Sequence, residues 1–131
     1  MTVMPALAGL AAVGVMLTAC GGSSGADASS PGPLQRPASL VADVGHHDGF
    51  TISLTDPSGQ RIRNLAAGTY SLAIKDESSL HNFHLTGDGV DKTTSIGDTG
   101  TVTFSVTFKP GTYTFVCDPH SSQMHGKFTV S

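Results

Sequence analysis

Thr101-Val102-Thr103-Phe104-Ser105-Val106-Thr107-Phe108 alternates hydroxyl and apolar side chains without a break. Successive side chains of a strand point to opposite faces, so this stretch predicts a strand with Val102, Phe104, Val106 and Phe108 buried and the hydroxyls outward. Shorter runs of similar texture lie on both sides of it. Ser39–Val44, Phe50–Thr55, Gln60–Leu65, Tyr70–Lys75, His81–Thr86, Thr112–Cys117 and Lys127–Val130 read as further strands. Asp56-Pro57-Ser58-Gly59 and Lys109-Pro110-Gly111 place Pro and Gly where tight turns need a fixed or positive φ. The polar, Gly-rich segment Gly87–Gly100 reads as a long surface loop with at most one helical turn. Eight short strands between residues 38 and 131 predict an all-β sandwich or barrel.

Composition agrees with that class. The 131 residues suit one modest domain. Sixteen Gly and seven Pro argue against a helical bundle. Seven basic against ten acidic side chains exclude a basic nucleic-acid binder. Residues 1–19 carry no charge and are rich in Ala, Leu, Val and Met, which reads as an export signal. Leu17-Thr18-Ala19-Cys20 resembles the lipobox of bacterial lipoproteins. That resemblance implies cleavage before Cys20, a lipid on its thiol, and an extracytoplasmic domain anchored to the outer face of the cell membrane. An uncleaved membrane anchor is the alternative, because about 19 apolar residues nearly span a bilayer core. Residues 20–37 are poor in apolar side chains and rich in Gly, Ser and Pro, as a flexible linker is. The working domain is therefore expected at 38–131.

If Cys20 carries lipid, Cys117 has no thiol partner in an oxidising compartment. Its neighbourhood supplies a reason for it: Cys117, His120 and Met124 gather a thiolate, an imidazole and a thioether within eight residues. Soft sulfur with imidazole favours copper, although zinc accepts these donors too. A fourth donor must come from elsewhere, and His81, in Leu80-His81-Asn82-Phe83-His84-Leu85, is the candidate. Two imidazoles and a thiolate in a plane with a weak axial thioether form the blue-copper arrangement used for electron transfer. If His81 points inward along a strand, so do Phe83 and Leu85, while Asn82 and His84 face away, which makes His84 the weaker donor. His125 competes with Met124 for the axial place, and Met124 has ordinary core packing as its bland alternative. His46 and His47 read as surface residues in a Gly-rich turn.

Three blocks, His81-Asn82-Phe83, Pro110 through Cys117, and Pro119-His120 through Met124 to Gly126-Lys127-Phe128, resemble the cupredoxins, the plastocyanin, amicyanin and pseudoazurin family of small blue copper proteins. The resemblance covers residues 38–131 and implies a Greek-key β-sandwich or barrel of seven to eight strands. It implies one copper ion per chain, cycling between Cu(II) and Cu(I), held by His81, Cys117, His120 and Met124. Asn82 matches the family residue that ties the two ligand loops together, and Pro119 the proline that limits hydrogen bonding to the thiolate. Three residues separate His120 from Met124, fewer than in plastocyanin and more than in amicyanin. The implied role is single-electron transfer by a monomer that docks transiently with redox partner proteins near His120. A copper-trafficking lipoprotein is the rival reading. Enzymatic turnover is not expected, because the chain has no His-x-His pair to build further copper sites.

Overall fold

The computed structural model describes residues 38–131. The expected signal over 1–19, the lipidated Cys20 and the linker over 20–37 lie outside the described residues. Nine strands follow in order: β1 (Ala38–Val44), β2 (Ile52–Thr55), β3 (Asn64–Leu65), β4 (Gly68–Asp76), β5 (His84–Gly87), β6 (Val90–Thr93), β7 (Gly100–Phe108), β8 (Gly111–Val116) and β9 (His125–Val130). They form an all-β sandwich of two mixed sheets, a four-stranded one in the order β2-β1-β4-β7 and a five-stranded one in the order β3-β9-β8-β5-β6. The β1–β4 and β3–β9 pairs are parallel and the other pairs antiparallel.

The Thr101–Phe108 stretch lies in β7, against β4 in the register Leu72↔Phe104 and Tyr70↔Val106. Val106 and Phe108 are buried and Phe104 is half-buried, but Val102 is 44% exposed. Alternation fixed the face correctly. It could not show that the first residues of β7, Gly100–Thr103, stay exposed. The core joins both sheets: Leu40, Leu72 and Ile74 meet Phe83, Tyr113, Phe115 and Phe128. Tyr113 stacks on Phe128 with centroids 5.5 Å apart, and Phe108 meets both rings edge-on. The Tyr113 hydroxyl accepts the Lys109 N–H and donates to a backbone oxygen, which closes the β7–β8 turn. Gly87 admits this ring, since a Cβ there would sit 2.0 Å from Tyr113 Cδ1.

Several boundaries differ from expectation. The segment expected as a loop at 87–100 contains β6, which pairs with β5 and leaves only Val90 and Thr94 buried among polar residues. A strand so polar carries no hydrophobic alternation to be recognised by. Of Gln60–Leu65 only Asn64–Leu65 is strand, while Arg61 bridges to Thr55 in the other sheet. His81, Asn82 and Phe83 precede β5 rather than lie in it. All three are buried, so the strand rule that turned Asn82 outward does not apply to them.

Candidate metal centre

Three separate pieces of backbone meet at one end of the sandwich. The first is the loop Glu77–Phe83. Asp76 Oδ1 accepts the Ser78 N–H at 3.1 Å, Ser78 Oγ accepts the Leu80 N–H at 3.3 Å, and the Ser78 carbonyl accepts the His81 N–H at 3.4 Å. Burial holds the Asp76 carboxyl above its ordinary pKa. These short bonds coil the loop so that His81 turns inward and is 1% exposed. The second piece is the β8–β9 connection. Cys117 N–H donates to the Met124 carbonyl at 2.9 Å, and the N–H groups of Gln123 and Met124 both donate to the His120 carbonyl. A 3-10 turn at Asp118–His120, with Pro119 setting its φ, swings His120 back over Cys117. The third is the turn after β1, where Gly45 has φ +66° and a Cβ would lie 2.7 Å from His81 Cδ2. Only glycine fits both the conformation and the close approach.

His81 Nδ1 and His120 Nδ1 are 3.0 Å apart, and each is 3.6 Å from Cys117 Sγ. Two protonated Nδ1 atoms cannot face each other at that distance, so at least one lone pair points into the triangle. A point equidistant from the three atoms lies about 2 Å from each, the length of a metal–imidazole bond and slightly short of a metal–thiolate bond. The donor set and its spacing fit a copper ion. Among the described residues no other group of three or more His, Cys, Asp or Glu side chains converges this way. Cys117 is a buried free thiol, Met124 is fully buried, and His120 is half-buried.

His81 Nε2 is buried without a hydrogen-bond partner. Metal-binding imidazoles commonly donate their second nitrogen to an acceptor. This ring is held instead by packing, against Gly45 on one side and Phe50 on another. Phe50 sits edge-on to both histidines, with centroids 4.8 Å from His120 and 5.6 Å from His81. It precedes β2 and is 57% exposed, so it forms an apolar rim beside the donors. Leu80, 60% exposed, is a second exposed apolar side chain next to His81 in sequence.

Asn82 ties the loops together. Its Oδ1 accepts the Asp118 N–H at 2.8 Å, and its Nδ2 donates to Asp118 Oδ2 at 2.8 Å and to Thr93 Oγ1 at 3.1 Å. Reading the sequence missed Asp118, whose position directly after Cys117 was the available signal, and it missed Phe50 and Ser78. His84, read as an outward or hydrogen-bonded histidine, has Nδ1 2.9 Å from Asp118 Oδ1 and Nε2 2.9 Å from Asp91 Oδ1. Donation from Asn82 holds the Asp118 carboxyl below its ordinary pKa, and the Asp118 carboxylate holds the His84 imidazolium above its own. His125 is exposed, with Nδ1 2.8 Å from the Ser121 carbonyl. His46 and His47 are exposed too, and His46 pairs with Glu77.

The signs of these shifts predict a pH window. A raised histidine pKa stabilises the fold below its unfolded value of about 6.5, and this is lost as pH rises through the folded value. A lowered Asp pKa stabilises above about 3.9 and is lost as pH falls through the folded value. His84→Gln should therefore lower the stability of the copper-free protein by about 1 kcal/mol near pH 6, a modest figure because the pair is partly exposed. Urea unfolding at several pH values checks this: the difference from the parent protein should shrink toward alkaline pH, and a gap constant with pH would count against the ion pair.

Residues 63–131 match the family described as copper binding proteins, plastocyanin/azurin family. No curated protein matches the chain in sequence. Among solved structures the fold is similar to the copper protein rusticyanin, with a TM-score of 0.57 at 17% identity, covering 71% of this chain and 76% of that one. Reduced rusticyanin gives 0.54 at 18% identity, covering 71% and 78%. Rusticyanin from Thiobacillus ferrooxidans gives 0.52 at 20% identity, covering 71% and 76%. With a His-Cys-His cluster at the end of such a sandwich, and with more than half its length matching, this chain belongs to the plastocyanin/azurin family of copper-binding proteins.

Proposed function

We propose that the protein carries single electrons, and that His81 Nδ1, Cys117 Sγ and His120 Nδ1, together with Met124, would hold the copper ion. The observation that carries the reading is the convergence of three donor atoms, from two loops cross-tied by Asn82, at distances one ion can bridge. Bound copper supplies one-electron chemistry between Cu(II) and Cu(I). The chain's part is to hold the donors in one arrangement for both states. Backbone bonds within the Cys117–Met124 loop and the packing of His81 against Gly45 resist movement, and a site that need not rearrange has a low barrier to electron exchange. His120, half-buried beside Phe50, is the point where electrons enter and leave, and a partner docks there transiently.

The export signal over 1–19, lipid on Cys20 and the linker over 20–37 complete the proposal as a monomeric domain tethered outside the cytoplasmic membrane. Copper handling without electron transfer is the rival, favoured by the exposed histidines His46, His47 and His125. Cyclic voltammetry of the copper-loaded protein separates the two. Reversible waves over repeated cycles with no loss of metal are expected, and release of copper on reduction would establish the trafficking reading instead.

A further inference from the structure

A cleft of about 510 Å³ opens where the two sheets part between β2 and β9, closed at one end by the segment Arg61–Asn64 that crosses between them. Its floor is apolar, with Ile52, Ile62 and Phe128. Its rim is basic. Arg61, Arg63 and Lys127 are three of the six Lys and Arg side chains among residues 38–131, His125 joins them, and no carboxylate lines the cleft. The same region holds nine Asp and Glu, so this basic grouping runs against the charge of the domain. The acidic side chains lie toward the other edge of the five-stranded sheet: Arg61 and Arg63 precede β3 and Lys127 lies in β9, whereas Asp88 precedes β6, Asp91 lies in β6 beside Lys92, and Asp118 follows β8.

The backbone adds a second feature. β3 pairs with β9 only at Thr129 and Val130, which leaves His125–Phe128 without a strand on that side. Thr129 N–H donates toward β3, to the Arg63 carbonyl. By antiparallel alternation Lys127, two residues earlier, turns its own N–H and C=O away from β8 and toward the cleft. Free main-chain groups beside guanidinium and ammonium groups suit an extended chain bearing carboxylates. The cleft also borders the metal loop, because His125 follows Met124 and its Nδ1 lies 2.8 Å from the Ser121 carbonyl.

We infer that this cleft is a docking site for an acidic, extended segment of a partner protein, which it aligns beside the copper loop. The inference names the chemistry of the partner in the electron-transfer reading and rests on that reading for its purpose, though binding can be measured without it. The probe is hexaglutamate, titrated into the copper-loaded protein while backbone amide NMR shifts are followed, with inorganic phosphate and hexalysine as comparisons. Shifts should be confined to Arg61–Asn64 and His125–Thr129, and binding should weaken roughly tenfold between low and physiological salt. Arg61→Glu with Lys127→Glu should abolish the shifts. Lys92→Glu with Lys109→Glu makes the same change in net charge outside the cleft and should reduce affinity less than threefold. Equal loss in both double variants, shifts elsewhere, or phosphate binding as tightly as hexaglutamate would overturn the docking site. Voltammetry of the cleft variant keeps the two readings apart: a reversible wave without peptide binding leaves electron transfer standing and removes only the docking surface.

Discussion

Replacing Cys117 by Ser should abolish the intense red-region absorption expected of the copper-loaded protein, leaving at most a weak, colourless Cu(II) complex. The band arises from charge transfer between a thiolate and Cu(II), and Cys117 holds the sole thiol among the described residues. Serine keeps the size and the Cys117 backbone bond to Met124 but exchanges a soft sulfur for a hard, protonated oxygen. The remaining imidazoles, His81 and His120, would still bind copper, with a spectrum typical of tetragonal nitrogen and oxygen coordination. Visible and electron paramagnetic resonance spectra of both proteins, loaded with equimolar Cu(II), decide the matter. A variant that kept the band would sink the assignment of Cys117 as a ligand. Far-UV circular dichroism of the copper-free variant guards against misfolding, and it should be unchanged because the thiol has no structural partner beyond the two histidines.

Asn82→Ala is expected to destabilise the copper-free fold by about 3 kcal/mol, since it removes three part-buried hydrogen bonds, to the Asp118 N–H, to the Asp118 carboxylate and to Thr93 Oγ1, and leaves the Asp118 N–H without its partner. For a domain of this size that corresponds to a fall in melting temperature on the order of 15 °C. The effect should reach the metal as well. Asn82 follows His81 and bonds the residue after Cys117, so without it the two ligand loops are tied less firmly, through the His84–Asp118 contact and the β5–β8 pairing, and copper dissociation should accelerate. Differential scanning calorimetry and transfer of copper to a chelator measure the two consequences. If the melting temperature fell while the dissociation rate did not change, Asn82 would serve the fold alone.

Much of this is legible in the sequence, for particular reasons. β7 declares itself by eight alternating residues, and β8 by the run into Cys117, because burial on one face forces a period of two on the side chains. Cys117, His120 and Met124 lie close in sequence, so their grouping follows from chain connectivity. What escaped reading lacks such a local mark. β6 is polar after Val90 and is recognisable only by its pairing with β5. Asn82 was turned outward by a strand rule that its loop does not obey. Asp118 and His84 become one unit only when β5 comes alongside the end of β8.

By itself the sequence determined the all-β class, the soft donor cluster and its kinship with small copper proteins. All of these rest on periodicity, composition or short spacing, which a linear chain records directly. The tertiary structure alone decided that His81, thirty-six positions before Cys117, stands 3.6 Å from its sulfur. It also decided that Gly45 and Phe50 hold the ring in place, and that Arg61, Arg63 and Lys127 share one cleft. Contacts across such separations depend on how two sheets pack and where their edges part, and no local pattern of residues encodes that distance.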